Sequence, residues 1–188
     1  RLSVGRAMLG TSVVIFIIYL VPGLWGAPLK VISGFPPPMS YSESPMGFGG
    51  GGGTTVSHGD EANKDMHLGE HGIMLFHDYD KGVAYAKEVG KPVLLDFTGY
   101  ACVNCRRMEA TVWGEPEVLG TLLNDVVMIS LYVDDKTELP KEEQITVNIT
   151  DDITRDLVSY GNKWSHLQAT RYETNSQPYY RMLGPNGE

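Results

Sequence analysis

The 188-residue sequence contains only two cysteines, and this scarcity limits the roles that they can have. A small domain held together by disulfides carries more cysteines, at wider spacings. A structural zinc site needs four ligands, and the five histidines are scattered, with no second pair near the cysteines. We therefore expect no metal and no bound cofactor.

Basic residues are also few, since 15 lysines and arginines face 23 aspartates and glutamates and the net charge is −8. The imbalance is concentrated in residues 54–188, which hold 12 basic and 22 acidic side chains. Such a surface is unsuited to nucleic acid, which attracts proteins through basic patches. It is typical of a soluble acidic domain rather than of one that lies on anionic lipid, and we expect no nucleic-acid partner.

Long apolar runs are absent except near the start of the chain. Residues 7–24 carry no charged side chain, and about 18 such residues are enough to cross ~30 Å of hydrocarbon. We expect a transmembrane helix within residues 1–26, with Arg1 and Arg6 on the cytoplasmic side and the later residues outside the inner membrane. The alternative is a cleaved signal peptide, although Leu24–Gly26 do not resemble its small-residue cleavage site.

Residues 27–68 are rich in proline and glycine and are expected to form a flexible linker. Pro36–Pro38 favour a stiff extended piece, whereas Gly49–Gly53 have no preferred conformation. A tether of this composition lets a domain reach different partners, and a plain spacer is the alternative. The linker would separate the membrane helix from a domain expected at residues 69–188.

This C-terminal domain alternates apolar strand patterns with helical patterns. Val93–Phe97 is an apolar run without alternation, which indicates a strand buried on both faces. Helical spacing over Tyr79–Val89 stops at Gly90, a typical C-cap residue. The order strand, helix, strand, helix, strand, helix, strand predicts an α/β sheet with a parallel core. The other expected elements are strands at Ile73–Phe76, Val126–Val133 and Tyr179–Leu183, helices at Cys102–Thr111, Glu115–Leu123 and Lys163–Tyr172, and a polar surface excursion at Asp134–Asn162.

Cys102 and Cys105 follow the buried strand directly and open a predicted helix. Unpaired backbone N–H groups and the helix dipole stabilise a thiolate there, which lowers the pKa of the first thiol from about 8.5. Cys102 can then attack a disulfide, and Cys105, one turn later, can attack the mixed disulfide and release the substrate. We predict Cys102 as the nucleophile and Cys105 as the resolving thiol. Arg106 and Arg107 are expected on a solvated helix face, and the alternative is that they add to the positive field at the thiolate.

Two carboxylates are expected beside the dithiol. Asp96 lies inside the apolar strand, where an acid is costly to bury without a purpose. Glu109 follows Cys105 by four residues and so lies on the same helix face. A buried carboxylate near a dithiol has a raised pKa and can take or supply the proton that exchange requires. The alternatives are a solvent-facing edge position for Asp96 and an exposed helix position for Glu109.

Together these segments are similar to a thioredoxin-fold domain. Most closely they resemble the C-terminal periplasmic domain of the transmembrane thiol:disulfide interchange protein (DsbD) family. That family places an Asp six residues before the first cysteine and a Glu four residues after the second, which here are Asp96 and Glu109. The preceding hydrophobic helix and the segments TGYACVNC, RRMEATVW and SQPYYRMLGPNGE also fit. The chain differs in the Val-Asn pair between its cysteines, and it ends in the turn after Tyr179–Leu183, so we expect a C-terminally truncated domain.

The resemblance implies a protein-disulfide reductase in the bacterial inner membrane, with its thioredoxin-like domain in the periplasm. Electrons would pass from the membrane domain of the same full-length chain to periplasmic thiol/disulfide proteins, including cytochrome c maturation proteins. The resemblance also implies that Pro178 is a cis-proline beside the dithiol, and that Tyr100, Gln177 and Pro178 bind the substrate. The alternatives are a membrane-anchored periplasmic oxidase or isomerase, and a non-catalytic binding module with an inert disulfide.

Overall fold

The computed structural model describes residues 3–25, 29, 31–32, 65–150 and 153–188. Its N-terminal part is helix α1 at Val4–Leu20, which continues as a 3-10 turn over Val21–Trp25. The combined helix is long and apolar enough to cross a membrane, with a mean hydropathy of 2.2 over 18 residues. Most of the expected linker at 27–68 lies outside the described residues.

The C-terminal part begins at Asp65 and is a mixed α/β domain. Its elements are, in chain order, β1 (Met66–Leu68), β2 (Met74–Phe76), α2 (Tyr79–Val89), β3 (Val93–Thr98), α3 (Val103–Thr111), α4 (Pro116–Asn124), β4 (Val127–Tyr132), β5 (Ile145–Thr150), β6 (Ile153–Leu157), α5 (Tyr160–Tyr172) and β7 (Tyr179–Leu183). Five strands form one sheet in the order β1-β2-β4-β3-β7, and β5 pairs with β6 in a separate hairpin. The three inner strands are parallel, and the two edge strands pair antiparallel with their neighbours.

The predicted α/β fold with a parallel core is confirmed. Helix α2 occupies the predicted residues Tyr79–Val89 and ends at Gly90, whose φ of 69° lies in the left-handed region that favours glycine. Asp78 caps its start by accepting a hydrogen bond from the Lys81 backbone N–H at 3.0 Å. Strand β1 is an addition to the predicted elements, and it lies before the expected domain start at residue 69.

The segment expected as a surface excursion, residues 134–162, contains the β5–β6 hairpin. Ile145 and Val147 alternate with polar residues, which is the period of a strand. The acidic residues around them obscured this signal, because they make the whole segment look polar. The described side chains of this segment are largely exposed, as expected of a surface excursion, and what the sequence-based prediction missed is its two strands.

Helix α5 begins at Tyr160 and not at Lys163 as expected. Ser159 caps it by accepting a hydrogen bond from the Asn162 backbone N–H at 3.2 Å. Gly161 weakens the helical signal of the sequence, but the fold requires it. A Cβ at this position would lie 2.5 Å from the carbonyl oxygen of Asp135. The first turn of α5 thus packs directly on the backbone that follows β4.

Side chains of β3 and β4 alternate between the two faces of the sheet, and the core is divided accordingly. One face packs against α2 and α5, and its buried side chains include Leu95, Ile129 and Trp164. The other face packs against α3 and α4 through residues such as Trp113 and Met128. The buried polar side chains of the inner strands, which are Asp96, Thr98 and Ser130, belong to this second face. They therefore lie beneath the helix that starts at the cysteines.

Candidate functional site

The two cysteines lie where β3 leads into α3, at the carboxyl end of the parallel strands. They form a disulfide whose Cα atoms are 5.2 Å apart. Cys102 is the N-cap residue of α3, and its Sγ accepts a hydrogen bond from the Cys105 backbone N–H at 3.2 Å. Cys102 is half-buried, whereas Cys105 is only 1% exposed. A partner can therefore reach Cys102 first, which agrees with the predicted order of attack.

The loop before the dithiol is held by the carboxylate of Asp134. The backbone N–H groups of Tyr100 and Ala101 donate to its Oδ1 and Oδ2 atoms at 2.8 and 2.9 Å. Gly99 permits this approach, because a Cβ there would lie 3.0 Å from Asp134 Oδ2. Hydrogen bonds to a charged acceptor are stronger than neutral ones. Asp134 therefore fixes the two residues that precede Cys102.

Sequence reasoning missed Asp134 as a site residue. Its only signal is a position directly after the strand pattern that ends at Val133. The carboxyl ends of neighbouring parallel strands meet at one edge of a sheet, so an acid after β4 can reach a loop after β3. That rule could have found Asp134, but it could not have separated it from the adjacent Asp135.

Asp96 is buried, with 1% of its surface exposed, on the sheet face that α3 covers. Its Oδ2 accepts a hydrogen bond from the Ser130 hydroxyl at 3.0 Å, while Oδ1 has no hydrogen-bond partner within the described part of the chain. Burial raises the pKa of this carboxyl to about 7, against the opposing effects of Ser130 and Arg106. An acid with this pKa exchanges protons near neutral pH. The predicted burial of Asp96 agrees with the structure, and its catalytic role stays a prediction.

Glu109 and Arg106 form a buried ion pair on α3. Arg106 Nη2 donates to Glu109 Oε1 at 2.6 Å and to Thr98 Oγ1 at 2.9 Å. The Glu109 and Arg106 side chains are 7% and 5% exposed, respectively. The guanidinium carbon also lies 5.9 Å from the ring centre of Tyr132, within cation–π range. Glu109 is therefore a buried residue, and the exposed alternative does not apply.

The expectation of a solvated Arg106 is wrong. The sequence shows Arg106 beside the exposed Arg107 and gives no sign that they differ. In the fold, Arg106 faces the sheet, where it donates a hydrogen bond to Thr98 and lies over the ring of Tyr132. Glu109 balances its charge. Arg107 lies on the solvated face, as expected. The difference arises because adjacent helix positions are about 100° apart around the axis.

Burial raises the pKa of Glu109 to about 8, although the Arg106 guanidinium opposes this shift. The charge of Asp96 raises it further. The Arg106 guanidinium thus interacts electrostatically with both buried carboxyls. Because it carries a single charge, only one of the two can ionise with its charge balanced. The two carboxyls therefore titrate as a coupled pair. This buried cluster of Asp96, Arg106 and Glu109 can hold one exchangeable proton near the dithiol.

A turn before β2 contacts the backbone of α3 through His71. His71 Nε2 lies 3.0 Å from the backbone carbonyl oxygen of Glu109. His71 has a φ of 56°, a left-handed conformation that is unusual for a residue other than glycine. This contact ties the position of Glu109 to a segment outside the helix.

Tyr100, predicted to bind substrate, lies two residues before the nucleophile. Its ring stacks on that of Tyr132, with centroids 4.2 Å apart. Tyr132 is also the ring that Arg106 approaches. Tyr100 thus links the loop of the dithiol to the side chains of β4.

Pro178 follows a cis peptide bond and directly precedes β7. Because Tyr179 pairs with Phe97 of β3, Pro178 lies level with the end of β3, from which the dithiol loop departs. The side chain of Gln177 donates to Gln168 Oε1 at 2.9 Å, which orients it. The fold brings Pro178 and the dithiol to the same end of β3, while the substrate contacts of Gln177 and Pro178 stay predictions.

Comparison with known proteins agrees with this geometry. No curated protein matches the sequence closely enough to count as a relative. Residues 74–185, well over half of the chain, match the model of a family described as thioredoxin-like. The match runs from β2 to the turn after β7 and includes both cysteines. The chain therefore belongs to the thioredoxin-like family, whose fold is compatible with thiol–disulfide oxidoreductase activity.

Proposed function

We propose that this chain is a membrane-anchored protein-disulfide reductase, which passes electrons through Cys102 and Cys105 to partner proteins. The observation that carries the proposal is the geometry of the pair. A half-buried cysteine caps a helix, and a buried cysteine follows one turn later. An inert structural disulfide has no need of a thiolate-stabilising helix end. Membership of the thioredoxin-like family supports the same reaction class.

The reaction starts from the reduced pair. The Cys102 thiolate attacks one sulfur of a partner disulfide and forms a mixed disulfide, and the partner's other sulfur leaves and takes up a proton. Cys105 then loses its proton and attacks the Cys102 sulfur, which releases the partner with both of its cysteines reduced. Two electrons have moved to the partner, and the Cys102–Cys105 disulfide of the structure is the product.

The buried Cys105 thiol has to lose its proton with little access to solvent. The cluster of Asp96, Arg106 and Glu109 lies on the same side of α3, and it contains carboxyls with pKa values of about 7 and about 8. Groups with such pKa values are suited to accept a proton at neutral pH and to return it later. We therefore assign to this cluster the role of proton acceptor for Cys105.

The oxidised pair has to be reduced again before the next cycle. By the resemblance to the DsbD family, the proposal assigns this step to a dithiol in the membrane domain of the full-length protein. Helix α1 is suited to anchor the chain, and Arg1 and Arg6 favour a cytoplasmic start. The domain would then act in the periplasm, on thiol/disulfide proteins that include those of cytochrome c maturation.

The experiment is to trap partners with Cys105→Ser in the membrane-bound protein of a bacterial cell. Without the resolving thiol, Cys102 should remain joined to periplasmic proteins in adducts that a reductant dissolves. The matched control is the double variant Cys102→Ser/Cys105→Ser, which should form none. Adducts formed only with cytoplasmic proteins would contradict the orientation. If a reactive Cys102 formed no adducts, the electron-passing role would be wrong.

A further inference from the structure

A cavity of about 520 Å³ opens beside the dithiol, and neither the cysteine pair nor the buried cluster of Asp96, Arg106 and Glu109 makes use of it. It lies at the carboxyl ends of β2 and β4, next to the first turns of α2 and α5. Tyr100, two residues before the nucleophile, is one of its lining residues. A partner segment that reaches Cys102 therefore passes close to this cavity.

One wall of the cavity is a continuous row of rings. Tyr100 stacks on Tyr132 at 4.2 Å, Tyr132 meets His77 edge-on at 5.2 Å, and His77 stacks on His67 at 4.7 Å. Burial lowers the pKa of His77, so this ring carries no charge at neutral pH. The wall thus offers aromatic faces, and its imidazole ring at His77 adds no positive charge.

The remaining polar lining is mainly acidic. Lys81 is the one lysine or arginine among the described lining residues, and it is paired with Asp65 at 2.6 Å. Within the described part of the chain, Asp78 and Asp135 form no such ion pair. Their Oδ1 atoms accept backbone N–H groups at 3.0 and 2.8 Å, which leaves Oδ2 of each carboxylate for a ligand. The cavity therefore combines aromatic faces with unbalanced negative charge.

We propose that this cavity receives an arginine side chain of the partner polypeptide, a few residues from the cysteine that Cys102 attacks. A guanidinium group stacks on aromatic rings, and its N–H groups pair with carboxylate oxygens. An extended chain spans about 3.3 Å per residue, which puts residues two to four positions from the partner cysteine within reach. The inference rests on the proposed function, because it needs a partner sulfur at Cys102.

The test uses the reduced full chain in detergent micelles and synthetic peptides with one cysteine, blocked as a mixed disulfide with thionitrobenzoate. The peptides carry arginine, lysine or norleucine two to four residues from the cysteine. Attack of Cys102 on the peptide sulfur releases coloured thionitrobenzoate, the better leaving group, and stopped-flow absorbance gives the rate. We expect the best arginine peptide to react about tenfold faster than its norleucine counterpart, with lysine between them.

The double variant Asp78→Asn/Asp135→Asn removes the charge but keeps an oxygen for each backbone N–H group. It should reduce the preference for arginine to about threefold or less, because only the aromatic contact remains. The matched control is Glu88→Gln/Asp125→Asn, which removes two exposed charges outside the cavity. This control should keep the preference. An equal loss in both double variants would indicate general attraction by an acidic domain and would overturn the inference.

A neutral reagent, dipyridyl disulfide, separates the two levels of the proposal. If Cys102 reacts with it and arginine and norleucine peptides react equally fast, the cavity inference is wrong and the proposed function stands. If the reduced pair does not react with it, the proposed function fails, and the cavity inference fails with it.

Discussion

The two sides of the dithiol use charge in different ways. On the inner side, Asp96, Arg106 and Glu109 are buried, and one cation serves two acids. On the outer side, Asp134 is solvated and binds two backbone N–H groups. Burial shifts pKa values and so makes acids into proton carriers, whereas the Asp134 carboxylate acts as a fixed hydrogen-bond acceptor. The same residue type therefore tunes the chemistry on one side and positions the loop on the other.

The two cysteines lie between these sides and carry out the exchange themselves, so their variants should show the largest effects. Cys102→Ser should abolish disulfide reduction, because no accessible nucleophile remains. Cys105→Ser should keep the first attack but stop turnover at the mixed disulfide. Release of a chromophore from a small disulfide reagent measures the first step, and reduction of a protein disulfide measures turnover. Full turnover by either variant would contradict the assigned roles.

The neighbouring arginines allow a matched test of the inner side. Arg106→Met should lower the free energy of unfolding by roughly 2–4 kcal/mol at neutral pH, since it removes the buried hydrogen bonds of the guanidinium to Glu109 and Thr98. Arg107→Met should change it by about 0.5 kcal/mol or less, because Arg107 is exposed. Denaturant unfolding of the oxidised proteins measures both values. Equal effects would mean that Arg106 is not coupled to the buried acids.

Asp96→Asn tests the burial of an acid directly. The folded-state pKa of about 7 lies above the unfolded value of 3.8, so the unfolded chain loses its proton first as the pH rises. The stability of the native protein should therefore fall between about pH 4 and pH 7, by up to roughly 4 kcal/mol from this group alone.

In Asp96→Asn that part of the pH dependence disappears. The oxidised variant should be more stable than the native protein by roughly 2–4 kcal/mol at pH 8, and close to it at pH 4. Denaturant unfolding at the two pH values is the measurement. A variant that is less stable at pH 8 would show that the surroundings of Asp96 hold it ionised, and its pKa would then not be raised.

Asp134 on the outer side should give the smallest effect. Asp134→Ala removes both acceptors of the Tyr100 and Ala101 N–H groups, and we expect a loss of about 1–2 kcal/mol of stability at this exposed site. The rate of Cys102 with dipyridyl disulfide should fall as well, because the loop before the nucleophile becomes looser. Asp134→Asn keeps one oxygen, so its stability and its rate should lie between those of the alanine variant and the native protein. Unchanged rates in both variants would show that Asp134 does not position the loop before Cys102.

Local patterns were enough to predict much of the fold. Gly90 and the helical spacing before it identified the bounds of α2, and the run Val93–Phe97 identified the central strand. Both features depend on neighbouring residues alone. The β5–β6 hairpin could not be predicted in the same way, because its strand pattern is embedded in acidic and threonine-rich sequence.

The site shows a similar division. The cysteines, Asp96 and Glu109 carry a signal in their spacing along the chain. Arg106 and Asp134 do not, because their partners come from other elements of the fold. The sequence therefore indicates which chemistry is possible, while the contacts that tune and position it depend on how β3, α3 and β4 meet.

The central claim is that Cys102 and Cys105 deliver electrons to protein disulfides. The most direct measurement is the reduction potential of the pair, obtained by equilibrating the full chain in thiol–disulfide redox buffers and quantifying the two states by mass spectrometry. A donor of electrons should have a potential well below about −200 mV. A value near −120 mV, which belongs to a strong oxidant, would contradict the claim.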